Sequence, residues 1–517
     1  MISLFRAIAL ACMLCLLGAC AVNPVTGERE LSLISAQQEV AIGAQNYRPS
    51  LQSQGGRYTI DPEIGLYVAE VGHKLAAVSD RAALPWEFTV LNNPVPNAWA
   101  LPGGKIAINT GLLLQLEDES QLAAVLAHEI VHAAARHSAS QMSRGTLINL
   151  GTQVAGIAAQ NAGYGSLAGF AQLGGAAWMA RYSREDELES DTYGMVYMSR
   201  AGYDPRGAVE LQETFVRLNE DRQGDFFSNL FASHPPSPER VARNREQAAR
   251  LPAGGARNRE RYQREIRQLK KDEPAYEAMQ KAVAALNDQD PKLALEYLDR
   301  AVRIQPDDSH FWELRGHAWN QLDNSANAGK AFTTAIGKNP DLFSHYLARG
   351  VLRYKTGKTT AARVDLEKSH QLLPTPTASF YLGELAADAG NRDEALGYYR
   401  QAAGSDTQVG ERARFRLVSL ELASEPDKYI PSRAFVGDNG YLQVLIQNNS
   451  GMPVADIGIQ VVKMQNAFTV AESLRLRGPA RLEPGQQAIV RTGIGPFDSA
   501  EAAGQFRSRV IGARPAE

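Results

Sequence analysis

The sequence predicts a multidomain chain: a mainly α-helical domain with a small sheet, an α-α solenoid of paired helices, and a C-terminal β-sandwich. Three observations predict it. His128-Glu129-Ile130-Val131-His132, an HExxH pentapeptide, lies inside an amphipathic helical pattern; Pro306, Pro340 and Pro374 recur 34 residues apart; and beyond Pro431 the hydrophobic period changes to two. A length of 517 residues suits about three domains, and 44% hydrophobic against 21% charged residues excludes a mostly disordered chain. Lys plus Arg (54) nearly balance Asp plus Glu (57), so there is no global basic field to hold nucleic acid. The three cysteines, Cys12, Cys15 and Cys20, all fall in the first twenty residues, which excludes a disulfide framework and cysteine-ligated metal in the remainder.

Residues 1–19 read as a signal peptide. Arg6 gives a positive start, Ala7 to Leu17 is an apolar run too short for a permanent membrane span, and Leu17-Gly18-Ala19-Cys20 follows. That tetrapeptide resembles the lipobox of bacterial lipoproteins, which implies lipidation of Cys20 and a membrane tether. Ala21, in place of an Asp, points by the same resemblance to the periplasmic face of the outer membrane.

The first folded domain is expected over residues 20–250. Lys105 to Asn109 alternates as a strand, entered through the turn Leu101-Pro102-Gly103-Gly104. A helix is expected from Glu119 to Gln141, with Asp118 as its N-cap and Leu122, Val125, Leu126 and Ile130 on its apolar face. Thr146 to Ala180 holds no charged residue but many Gly, Asn and Gln, and reads as buried or surface-lying helices, with membrane contact as the alternative.

Residues 251–274 read as a charged, helical linker. Over 275–425, Ala301, Ala335, Ser369 and Ala403 share the 34-residue period, as do Leu314, Ala348 and Leu382, whereas Gly316 and Gly350 keep it and Gly383 slips by one. Small residues where paired helices touch, with Pro closing each unit, resemble the tetratricopeptide repeat, ending in a capping helix near Gln408 to Leu422. Over 432–512, Tyr441 to Ile446 and Ile457 to Val462 flank the turn-rich Asn448-Asn449-Ser450-Gly451, and Ala488-Ile489-Val490 continues the strand pattern of a small sandwich.

The chemistry sits in the first domain. On a helix His128 and His132 are about 40° apart, so both imidazoles can grip one metal, with Glu129 flanking them. His137 lies about 180° from His128 on the same continuous helix and is expected to pack or face solvent. A third histidine in the metzincin pattern is excluded, because Ala135 and Ser138 occupy the required positions. Within the acidic run Tyr182 to Asp191, Glu187 and Asp191 share a helical face, so one could ligate and the other support; a solvated acidic face is the alternative.

Four passages carry a resemblance that covers this domain: Cys20-Ala21-Val22-Asn23-Pro24-Val25-Thr26-Gly27, Asn97 to Gly104, the HExxH helix, and Ser183-Arg184 leading to Glu187-Leu188-Glu189-Ser190-Asp191. Together they resemble the gluzincin metalloprotease family of the CAAX prenyl endopeptidases and HtpX-type proteases, especially its BepA-type (beta-barrel assembly-enhancing) lipoprotein branch, which also carries tetratricopeptide repeats. The resemblance implies one Zn2+ held by His128, His132 and Glu187, Asp191 supporting, and Glu129 as general base. His234, in Ser233-His234-Pro235-Pro236, is implied as a fourth ligand in a closed state; donating to the oxyanion or capping the next helix are alternatives. Substrate is expected to extend along Lys105 to Asn109. The resemblance further implies a lipid-anchored periplasmic endopeptidase acting on unfolded or misassembled outer-membrane proteins, with the repeats meeting the barrel-assembly machinery; an assembly factor with a latched site is the second expectation. It does not extend past Pro431.

Overall fold

The computed structural model describes residues 20–144, 182–220, 230–466 and 469–516. The expected signal peptide and the uncharged stretch from Thr146 to Ala180 lie outside the described residues. No described helix is long and apolar enough to cross a membrane. The chain divides into two compact units, residues up to His345 and residues from Tyr346 on.

In the first unit, Cys20–Val22 (β1) pairs antiparallel with Arg29–Leu31 (β2). The helices Ala36–Ser53 and Pro62–Ala76 then lead into a three-stranded sheet: Glu87–Leu91 (β3), Ala98–Leu101 (β4) and Lys105–Asn109 (β5). The strand expected at Lys105 to Asn109 has those bounds but is central. It pairs parallel with β3 and antiparallel with β4, so it cannot accept a further strand. The edge belongs to β4. On the opposite side, Tyr58 donates its backbone N–H to Val90, partly covering β3.

The HExxH helix runs Glu119–Ala134, with Asp118 Oδ1 accepting from the backbone N–H groups of Ser120 and Gln121. It stops short of the expected Gln141. Arg136 takes φ +67°, a left-handed conformation that breaks the helix, and a new helical segment starts at 137. The cost of that conformation is offset by the Arg136 side chain, which donates to Glu39 Oε2 at 2.9 Å and to the Ile34 carbonyl at 2.5 Å.

The core of this unit joins Val68, Val71, Ile106, Ile108, Leu126, Ile130 and Met198. It also takes in Tyr262 and Leu269, from the helices Arg259–Glu265 and Arg267–Asn287, and Ile266 at their junction. The span expected as a linker is therefore part of the packed domain, because its aromatic and aliphatic positions fall on one buried face. The first repeat helices, Pro291–Ile304, Ser309–Gln321 and Ser325–Lys338, also belong to this unit. Asn92 Nδ2 donates to Asp308 Oδ2 at 3.0 Å, and Gln52 Nε2 donates to the Asp341 carbonyl at 2.7 Å.

Phe343–Lys355 spans the division, and Thr359–Leu372, Pro376–Asp388, Arg392–Ala403 and Gln408–Glu421 follow in the second unit. A Cβ at Gly316 would lie 2.4 Å from Phe332, and one at Gly383 would lie 2.7 Å from Tyr399. In both pairs the contacted ring stands sixteen positions after the glycine, so Gly383 and its partner slip from the 34-residue period together.

The second unit ends in two sheets around one core. Leu442–Gln447 (β7) lies between Ser432–Val436 (β6) and Gln487–Arg491 (β11). Val454–Met464 (β8) pairs with Val470–Arg477 (β9) and Arg481–Leu482 (β10) on one side and with Phe506–Pro515 (β12) on the other. Leu442, Val444 and Ile446 face Ile457, Ile459 and Val461. The turn at Asn448 to Gly451 thus carries the chain from one sheet to the other.

Candidate metal centre

Four side chains from three segments converge on one point. His128 and His132 leave the same face of Glu119–Ala134, as their spacing requires. Glu187 comes from Arg184–Arg200, whose start is fixed by a capping box between Ser183 and Asp186. That helix crosses the HExxH helix closely: a Cβ at Gly194 would sit 3.3 Å from the His128 backbone nitrogen. His234 is held just before the helix Pro238–Arg250, with Pro235 and Pro236 stiffening its approach and Ser237 as the N-cap.

His128 Nε2 lies 3.0 Å from His132 Nε2 and 3.2 Å from His234 Nδ1. Glu187 Oε1 lies 3.3 Å from His132 Nε2 and 2.9 Å from His234 Nδ1. Donor atoms around a tetrahedral ion with bonds of about 2.05 Å stand about 3.3 Å apart. At these spacings the three nitrogens and one oxygen fit a four-coordinate divalent ion.

The surroundings orient these donors. Asp191 Oδ1 sits 3.0 Å from His128 Nδ1, the ring nitrogen turned away from the cluster. Arg240, which sequence reasoning left without a role, grips Asp191 and also reaches Glu187 Oε2 at 2.8 Å. Its signal was its place six residues after His234, and only the tertiary fold shows where it points. Tyr182 stacks on His132 with ring centroids 3.7 Å apart, tilted by 19°.

His137 packs, as expected, and stands outside the four-donor group, but it does not point away from it. It is buried, yet the break at Arg136 turns it back so that its Nδ1 lies 2.9 Å from His132 Nδ1. A continuous helix would have carried His137 to the far side, but the helix ends at Ala134.

Electrostatics in the cluster follow from burial and charge. Burial disfavours charge on Glu187, but His234, His128 and Arg240 outweigh it and hold the carboxyl well below its usual range. Burial, with the neighbouring His128 adding to it, keeps His132 neutral, the state that donates a lone pair. Glu129 goes the other way: burial raises its pKa, its Oε1 is 3.4 Å from His234 Nε2, and its Oε2 is buried without a hydrogen-bond partner among the described residues. A cavity lined by Ala98, Leu112, Leu211 and Phe215 reaches His128, Glu129 and His234.

Residues 65–248 match the model of Peptidase family M48, and residues 279–343 and 347–409 match the tetratricopeptide repeat. The chain carries a Peptidase family M48 domain followed by tetratricopeptide repeats. The four-donor group of His128, His132, Glu187 and His234 lies wholly inside the matched span.

Relatives include the mitochondrial metalloendopeptidase OMA1 of Schizosaccharomyces pombe, 33% identical over 228 residues, covering 43% of this chain and 65% of the relative. A putative beta-barrel assembly-enhancing protease of Vibrio cholerae is 32% identical over 200 residues, covering 37% and 40%. The beta-barrel assembly-enhancing protease of Escherichia coli is 29% identical over 236 residues, covering 44% and 47%. The chain thus spans between 40% and 65% of the length of these three relatives. Among solved structures, a crystal structure of MamA is similar at 19% identity with a TM-score of 0.24, covering 34% of this chain and 93% of the other.

Proposed function

We propose that this protein is a zinc-dependent endopeptidase that cleaves unfolded segments of other proteins. The observation that carries the reading is the four-donor cluster with the carboxylate of Glu129 beside it, at the inner end of a cavity. His128, His132 and Glu187 would hold the zinc. When bound, zinc supplies Lewis acidity, polarising a peptide carbonyl and making water acidic near neutral pH. Glu129, its pKa raised by burial, suits a general base that takes the proton of the attacking water and returns it to the departing amine.

Substrate would pair with β4, the edge strand, rather than with β5. Asn109 donates its backbone N–H to the Asn97 carbonyl, so alternation along the ladder turns the backbone groups of Ala98 and Ala100 to the open edge. Ala98 also lines the cavity that holds Glu129. Main-chain pairing of this kind accepts extended, unfolded segments with little regard to side chain. Similarity to the beta-barrel assembly-enhancing proteases, with the lipobox-like sequence at Cys20, supports a lipid-anchored periplasmic enzyme that removes misassembled outer-membrane proteins, its repeats recruiting substrate or the barrel-assembly machinery.

A second reading, an assembly factor with a latched peptidase, is favoured by one observation: His234 Nδ1 occupies the fourth corner of the cluster, where water would otherwise enter. Replacing Glu129 by Gln tests both readings. Cleavage of an unfolded protein should fall by a factor of about 10² to 10⁴ while bound metal is retained. A Glu129→Gln protein that cleaves at the wild-type rate, or a wild-type protein that binds no zinc, sinks the enzyme reading; an assembly defect corrected equally by both forms supports the second.

A further inference from the structure

Behind His132, on the side away from the metal cluster, polar groups run in a line to the N-terminal hairpin. His132 Nδ1 and His137 Nδ1 are 2.9 Å apart, a distance at which two ring nitrogens share one proton. If His132 Nε2 ligates a metal, the shared proton belongs to His132 Nδ1, and His137 must carry its own proton on Nε2. That buried atom makes no hydrogen bond among the described residues, and the nearest carboxylates stand at charge-pair distance, Glu189 Oε1 at 3.4 Å and Asp186 Oδ1 at 3.8 Å. Glu189 Oε1 in turn accepts from Asn23 Nδ2 at 2.9 Å.

The Asn23 amide has only one orientation that satisfies its neighbours. Its Oδ1 accepts from the backbone N–H groups of Val25 and Thr26, and its Nδ2 donates to Glu30 and Glu189. Asn23 is buried and follows directly on the β1 strand. The same N-terminal region fixes His137 by a second route, since Ile34 and Glu39 hold Arg136 in the left-handed conformation that turns His137 inward. Leu33 N–H also donates to Ser143 Oγ, in the helical segment that His137 begins.

We propose that Asn23 is a positioning residue for the metal centre, acting through Glu189 and His137 to set the tautomer and ring orientation of His132. The inference rests on the metal-site reading above and extends it. It makes the segment beside Cys20 part of the support of the metal centre, 109 positions before His132 in the chain. A ligand whose outer nitrogen is held in this way binds metal more tightly, and loss of such support costs about 10- to 100-fold in affinity.

The test is a double-mutant cycle on metal affinity in the full chain, using Co2+ as the probe, with its visible absorption spectrum as a second readout. Asn23→Ala and His137→Ala should each raise the Co2+ dissociation constant about 10- to 100-fold and shift the spectrum. The double variant should be no worse than His137→Ala alone, because both act through one line of contacts. Thermal unfolding of the metal-free proteins separates this from a general loss of fold. An Asn23→Ala protein that unfolds earlier yet binds Co2+ as wild type does overturns the proposal, as do additive effects in the double variant. A wild-type chain that binds no Co2+ is a different failure, of the metal-site reading itself.

Discussion

Arg240 holds Asp191 with a two-pronged grip, Nε to Oδ2 and Nη2 to Oδ1, both at 2.7 Å, and turns its remaining nitrogen to Glu187. One buried guanidinium thus compensates two carboxylates of the acidic helix, Glu187 aimed at the donor cluster and Asp191 at the back of His128. Burial opposes the charge of Asp191, and Arg240 overcomes it, holding that carboxyl below its usual range.

Replacing Arg240 by Met should therefore destabilise the metal-free protein by about 3–5 kcal/mol, the cost of leaving buried charges without a partner. Urea unfolding measures it. Arg240→Lys should recover only part of the loss, because an ammonium cannot form the parallel bonds of a guanidinium. Zinc should narrow the gap, since a bound cation compensates Glu187 directly.

Ala100 offers a test of the edge strand. Its N–H points away from β5, so Ala100→Pro removes a donor from the open edge without removing a ladder bond. kcat/KM for an unfolded substrate should fall about tenfold, the worth of roughly one hydrogen bond, with zinc content unchanged. An unchanged kcat/KM would place the substrate elsewhere.

Glu421 carries a pH dependence of its own. Its buried carboxylate receives Arg400 at 2.6 Å and both Lys428 and Tyr429 at 2.5 Å. Burial opposes the charge, but Lys428, Tyr429 and Arg400 prevail, lowering the pKa from 4.5 to about 2. Because the folded value lies below the unfolded one, the stabilisation is present above pH 4.5 and is lost as pH falls through about 2. The difference between wild type and Glu421→Gln should be on the order of 2 kcal/mol at neutral pH, discounted for the half-exposed cations. Urea titrations should show it shrinking between about pH 4.5 and 2.

Gly383 leaves no room for a methyl group beside Tyr399. Gly383→Ala should cost about 1–3 kcal/mol by overpacking, measured by thermal unfolding. Gly357, where a Cβ would meet nothing within 4 Å, has φ +75° and would be strained for a different reason, so it is not a matched control; Gly397, equally open and helical, is.

Much of the fold was legible because helices and strands convert spacing into direction. The capped start of the HExxH helix, the β5 strand and the paired repeat helices all came from local period. The helix end was not legible, since a single left-handed Arg136 is stabilised by Glu39, nearly a hundred residues earlier. The same break is why His137, reasoned away from the cluster, lies against it. Which strand of the small sheet is left unpaired was also illegible, because strand order depends on which segments return to pair with β5.

By itself the sequence determined the pair of imidazoles on one helical face, the acidic residues a turn apart, and the repeat of 34, all set by neighbours within a few turns of chain. Only the tertiary structure decided that His137 turns back onto His132, that Arg240 binds Asp191 and Glu187, that Asn23 meets Glu189, and that β4, not β5, forms the unpaired edge. Those contacts join residues far apart in the chain, and they depend on helix crossings and one reversed backbone dihedral that leave no periodic trace in the sequence.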